Sequence, residues 1–233
     1  MNSLNWVDLG NNINNIYEKF HSKKLKLSVK QRLIGIAEEF SNIIENVKKI
    51  EIKNAAKYVK KRNKINDKLS KIQDSIKKEI ETFIPLSKVY PASSFTAGTH
   101  LINDSDIDLN IVVDNLDQNK IIELSNICGI NNFKFIEIRS KDDEGLHYVF
   151  QKFIDNVEIE LKLRLNKDYY MEINNKMHNY IDYVMSNEDK IIITWIKYNL
   201  KNTSKKNYNS FKALYYENAL ANEKIYKLLY PII

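Results

Sequence analysis

Between Ser93 and Val113 the chain reads Ser-Ser-Phe-Thr-Ala-Gly-Thr-His-Leu-Ile-Asn-Asp-Ser-Asp-Ile-Asp-Leu-Asn-Ile-Val-Val, and its last acids are spaced for chemistry. A strand beginning near Ser105 places Ile107, Leu109, Ile111 and Val113 on one face and Asp106, Asp108 and Asn110 on the other, because strand side chains alternate. The two carboxylates then stand roughly 6.6 Å apart, at ~3.3 Å of rise per residue. Like charges that close repel, so the pair costs stability, holds a proton, or shares a divalent cation. Oxygen donors suit a hard ion, Mg2+ or Mn2+. Just upstream, Gly98 and Thr99 offer a flexible turn with backbone N–H groups and a hydroxyl, the equipment for holding a phosphate. A phosphate cradle followed by cation-holding carboxylates points to nucleoside triphosphate chemistry.

A third acid comes from Val157-Glu-Ile-Glu-Leu-Lys-Leu-Arg164. Its odd positions are aliphatic and its even positions charged, so Glu158, Glu160, Lys162 and Arg164 share a strand face. Either glutamate could reach an ion held by Asp106 and Asp108. The same pattern also suits an exposed face of alternating ion pairs.

The rest of the chain must position these groups. Residues 1–85 read as helices. Ser28 and Gln31 form a capping box, followed by an apolar stripe of Val29, Leu33, Ile36, Ala37, Phe40, Ile43, Ile44 and Val47. A second helix carries Ile65, Leu69, Ile72, Ile76, Ile80 and Phe83 and stops at Pro85. Between the two stripes lies the densest basic run, Lys57, Tyr58, Lys60, Lys61, Arg62 and Lys64. It could neutralise nucleic-acid phosphates, with Tyr58 stacking on a base, or be a solvated helix face.

Residues 86–170 alternate instead. Strands are expected at Val89–Tyr90, Asp106–Val113, Phe133–Ile138, His147–Ile154 and Val157–Leu165, with a crossover helix at Lys120–Ile127. The pair Asp155-Asn156 suits a tight hairpin turn. Residues 171–233 return to helical spacing. Ser186 and Asp189 cap a helix carrying Ile192, Ile193, Trp195, Ile196 and Leu200. A polar loop at Lys201–Asn209 and a last helix capped by Ser210 follow. The expectation is an α+β chain in which a small mixed β-sheet, a palm, is flanked by N-terminal and C-terminal helical regions.

At 233 residues and 43% hydrophobic content the chain can bury a substantial core, and no run of ~18 apolar residues suggests a membrane span. The start, Met-Asn-Ser-Leu-Asn-Trp, lacks a basic segment and apolar core, so an intracellular, cytoplasmic protein is expected. The single cysteine, Cys128, excludes an internal disulfide and suits a packed helix end. The net charge of +6 includes the acids of the site, so the remaining surface is more basic and nucleic acid is a plausible partner. Of the four histidines only His100 lies near the proposed chemistry.

Gly98-Thr99 followed by Ser105-Asp106-Ile107-Asp108-Leu109 resembles the signature of the polymerase-beta-type nucleotidyltransferase superfamily. The spacing is similar to that of archaeal-type CCA-adding enzymes and oligoadenylate synthetases. Ser93-Ser94-Phe95-Thr96-Ala97-Gly98 resembles the Gly-Ser-Phe-x-x-Gly turn of poly(A) and poly(U) polymerases, with Ser93 in place of the first Gly. The resemblance implies that Asp106, Asp108 and Glu160 are the metal-binding catalytic acids, Glu160 standing where relatives have Asp. It implies that Ser94, Gly98 and Thr99 contact the triphosphate. The C-terminal helices resemble those completing the nucleotide pocket in poly(A) polymerases, which adds Lys197, Lys201 and Ser210 as triphosphate contacts.

The implied activity is template-independent addition of nucleotides, ATP favoured, to an RNA 3′ end by a two-metal mechanism. No appended RNA-binding domain is recognisable after Ile233, so a homodimer or a processivity partner is expected. The alternatives are an oligoadenylate or cyclic-dinucleotide synthetase, a tRNA-modifying toxin, or a degenerate RNA-binding partner subunit.

Overall fold

The computed structural model describes residues 4–22, 27–84, 88–92, 98–102, 106–112, 118–141, 145–164, 180 and 184–229. The chain is α+β, with helices α1 (Trp6–His21), α2 (Val29–Phe83), α3 (Gln118–Ile130), α4 (Asn187–Thr203) and α5 (Lys205–Leu229). Five strands form one mixed sheet: β1 (Lys88–Ala92), β2 (Ile107–Val112), β3 (Lys134–Lys141), β4 (Gly145–Ile154) and β5 (Val157–Arg164). Among the described residues no helix is long and apolar enough to cross a membrane.

The chain divides into two compact units, one of Met1–Lys61 with Asn175–Ile233 and one of Arg62–Asn174. The two helices expected on either side of the basic run are one continuous helix, α2. Lys, Asn and Arg propagate a helix nearly as well as apolar residues do, and no Gly or Pro interrupts the run from Ile36 to Ile84, so a lapse in the apolar stripe does not end the helix. The stripe itself begins later than expected, since Val29 is 72% exposed and Ile36 is buried.

In the first unit the early turns of α2 pack with α1, α4 and α5. Phe40 stacks on Phe211 and Tyr215, with ring centroids 5.7 and 6.0 Å apart. Both capping boxes form as the residue types require. Gln31 N–H donates to Ser28 Oγ and Ser28 N–H to Gln31 Oε1, and Ser186 and Asp189 reciprocate at the start of α4. Ser210 does not cap the last helix. Ser204 alone separates α4 from α5, and its Oγ accepts the Asn207 N–H, so most of the expected polar loop is helical.

In the second unit Ile72, Ile76, Ile80 and Ile84 share a core with Leu124 and Cys128 of α3, with β2 residues Ile107, Leu109 and Ile111, and with β5 residues Ile159, Leu161 and Leu163. The last turns of α2 therefore cover the sheet alongside α3. Burial pushes the Cys128 thiol up to about 12, consistent with a thiol that serves as apolar filling. The strands run in the order β1-β2-β5-β4-β3, with β2 and β5 parallel and the other neighbours antiparallel. The β4–β5 hairpin closes through Asp155 and Asn156, at φ 52° and 65°, the positive values a two-residue turn needs. Pro91 falls in β1, at the sheet edge, where a strand tolerates a missing N–H donor.

Candidate active site

Alternation alone sends Ile107 and Leu109 of β2, and Ile159 and Leu161 of β5, into the core, all buried to 1% exposure or less. Asp108 and Glu160 must then project from the opposite face. The parallel register pairs Asp108 directly with Glu160. One carboxylate oxygen from each of Asp106, Asp108 and Glu160 lies within 4.8 Å of the others. Glu158, the other glutamate considered, is not in this group. Its Oε1 accepts a hydrogen bond from Gln151 Nε2 on β4.

Two cations meet the acids. Lys162 Nζ lies 2.7 Å from Asp108 Oδ1 and 2.8 Å from Glu160 Oε2. Arg139 Nη2, from β3, lies 2.9 Å from Glu160 Oε1, and its Nε pairs with Glu137. Burial raises the Asp108 carboxyl above the usual range, and the negative charge of Asp106 adds to this against the pull of Lys162. Burial also opposes ionisation of Glu160, but hydrogen bonds and charge from Lys162, with help from Asp108 and Arg139, outweigh it and hold this carboxyl below the usual range. The pair therefore shares its protons unequally, with Glu160 the more acidic. Burial likewise opposes the Lys162 charge, yet Asp108 and Glu160 leave the ammonium harder to deprotonate than an ordinary lysine.

The signal for Lys162 was present in the sequence, two residues beyond Glu160 on one strand face. Nothing local marks Arg139, which reaches Glu160 only through the strand order and past a register shift in β3 between Phe135 and Glu137.

The turn ahead of β2 has Gly98 at φ 66°. Thr99 and His100 are buried, so the threonine hydroxyl is enclosed rather than open to solvent. Arg62 of α2, only 6% exposed, donates from Nη1 to Gly98 O at 2.7 Å and to His100 O at 3.4 Å. That bond ties the carbonyls on either side of Thr99 to the helix. Arg62 is thus a brace of the turn rather than a member of an exposed basic patch. Ser93 and Ser94 lie outside the described residues.

Among the described residues a Cβ built on Gly98 meets no heavy atom within 4 Å, so backbone strain is what opposes a side chain there. Gly98→Val is expected to lower stability by about 1–2 kcal/mol. Gly98→Asn, whose side chain tolerates the left-handed region, should stay close to wild type, and thermal unfolding of the two variants checks the difference.

The remaining expected contacts are spread more widely. Lys57, Lys60, Lys61 and Lys64 all lie exposed at helical spacing on α2. Tyr58 instead packs its ring 4.5 Å from that of Tyr198 and 5.6 Å from that of Trp195, while Trp195 Nε1 donates to the buried Glu51. Lys197 is buried within its unit, and Lys201 is exposed with its Nζ 5.9 Å from the Tyr208 ring centroid. Ser210 is buried inside α5, where its Oγ donates to Asn14 Oδ1 at 3.0 Å.

No protein-family model and no curated protein matches the chain. Among solved structures it is similar to a chain in the structure of the GLD-2/RNP-8 complex, at 16% identity and a TM-score of 0.34, over 66% of this chain and 67% of that one.

Proposed function

We propose that this chain is a metal-dependent nucleotidyltransferase that lengthens an RNA 3′ end from a nucleoside triphosphate, ATP favoured, and releases pyrophosphate. The observation that supports it is the meeting of Asp106, just ahead of β2, with Asp108 of β2 and Glu160 of its parallel neighbour β5. Three carboxylates and no nitrogen or sulfur ligand in the group make a donor set suited to Mg2+ or Mn2+. A divalent cation held by these residues would supply charge neutralisation at a transferring phosphoryl group and a lowered pKa for an attacking hydroxyl.

The protein's own part is positioning. Asp106, just ahead of β2, and Asp108 within it would hold a divalent cation together with Glu160 of β5. The Gly98 turn, fixed by Arg62, presents backbone N–H groups to the phosphates. The four exposed lysines of α2 would neutralise phosphates of an RNA backbone. One observation favours a second, non-catalytic reading as an RNA-binding subunit: Asp108 and Glu160 already have Lys162 and Arg139 as ion-pair partners.

The test is incubation of the protein with Mg2+ or Mn2+, each nucleoside triphosphate in turn, and an end-labelled RNA. A ladder of extended RNA with ATP is the expected result. Oligonucleotides made without a primer indicate a synthetase, and RNA binding with no product of either kind supports the non-catalytic reading.

A further inference from the structure

We infer that Lys162 is a resident counter-cation of the acid trio, one that a divalent cation must displace, so that metal enters together with a triphosphate rather than ahead of it. The inference rests on the metal site proposed above and adds the order in which it fills.

The ammonium of Lys162 lies 2.7 and 2.8 Å from oxygens on two of the three candidate ligands. A divalent ion sharing those oxygens would lie within a few ångströms of a like charge, and the repulsion is large in a partly buried site. The balance of charge points the same way. Three carboxylates face Lys162 and Arg139, and Arg139 also pairs with Glu137 outside the trio, so Lys162 is the cation that these acids alone hold. Withdrawing Lys162 leaves the trio one unit more negative toward a metal.

Lysine suits this exchange better than arginine would. Its charge is a compact point on a flexible four-carbon stem, without the planar fork that fixes a guanidinium to one carboxylate. The side chain is 17% exposed, and rotation about its four-carbon stem moves the ammonium without moving the β5 backbone. A triphosphate supplies the anionic oxygens that Lys162 needs as its next partner. Arriving with its own divalent ion, it lets the metal take the carboxylates while the ammonium turns to a phosphate. No covalent bond forms or breaks in this step, and no charge is left unpaired.

The test measures Mn2+ binding by calorimetry and electron paramagnetic resonance, without turnover. Lys162→Met is expected to bind Mn2+ alone at least about tenfold more tightly than wild type, a change of about 1.4 kcal/mol. Its affinity for a non-hydrolysable ATP analogue in Mn2+ should fall. Lys162→Gln, which keeps an uncharged N–H donor group, serves if Lys162→Met does not fold, and should move both affinities the same way. Equal or weaker binding of Mn2+ alone by the Lys162 variants overturns the counter-cation role while leaving the metal site standing. If neither wild type nor these variants binds Mn2+ even with the analogue, or if Glu160→Gln leaves Mn2+ binding unchanged, the metal site falls and the inference with it.

Discussion

Asp108→Asn is expected to lower nucleotide incorporation by at least about a thousandfold in kcat, because a metal's stabilisation of the transition state is worth several kcal/mol and each 1.36 kcal/mol is a factor of ten. The substitution keeps the shape of the side chain and removes its charge. Burial disfavours the ionised form of Asp108, so a neutral amide is not opposed by desolvation there. Lys162 keeps Glu160 as a partner at 2.8 Å and is not stranded. Stability is therefore expected to stay within about 1 kcal/mol of wild type, an ordinary value for a single substitution that leaves no cavity. Glu158→Gln, on the same strand face but outside the trio, should retain most of the activity. Steady-state incorporation and thermal unfolding on the same preparations separate lost chemistry from lost fold.

Leu161→Ala is expected to act in the opposite sense, costing about 3 kcal/mol of stability through lost burial and a residual cavity. Leu161 is fully buried on β5, which β2 and β4 flank on both sides, so the space it leaves cannot be filled from solvent. It lies between Glu160 and Lys162 in the chain but points away from them. Protein that remains folded should therefore keep the carboxylate geometry. Urea denaturation followed by circular dichroism measures the loss, and activity per folded molecule below the transition should remain near that of wild type.

Both substitutions fall on strands that were legible in the sequence. In β2 and β5 strict alternation identified which side chains enter the core, and hence which acids face away from it. The Asp155-Asn156 turn was equally readable, because few residue pairs accept positive φ twice in succession. What alternation does not encode is which strand lies beside which. The parallel pairing of β2 with β5 sets Asp108 against Glu160 rather than Glu158, and strand order brings Arg139 across from β3. These are contacts between residues distant in sequence.

The helices show a different limit. The capping boxes at Ser28 and Ser186 were found because their partners lie three residues away. Sequence alone puts the cap of α5 at Ser210 instead of Ser204, since Ser204 sits in a polar stretch that resembles a loop until helix packing buries Asn207 and Ser210. The continuity of α2 was missed for a related reason. Its apolar stripe serves one core before the basic run and another after it, so periodicity lapses where the helix does not. Arg62 lay in plain view within that basic run, but only the folded chain turns it inward to the carbonyls of the Gly98 turn.

Diffraction at the manganese absorption edge, from crystals grown with Mn2+ and a non-hydrolysable ATP analogue, tests most directly whether the three acids form a metal site. The expected result is an anomalous peak bounded by the carboxylates of Asp106, Asp108 and Glu160, with Lys162 turned to a phosphate. A bound analogue with no peak there, and Lys162 still held between Asp108 and Glu160, contradicts it.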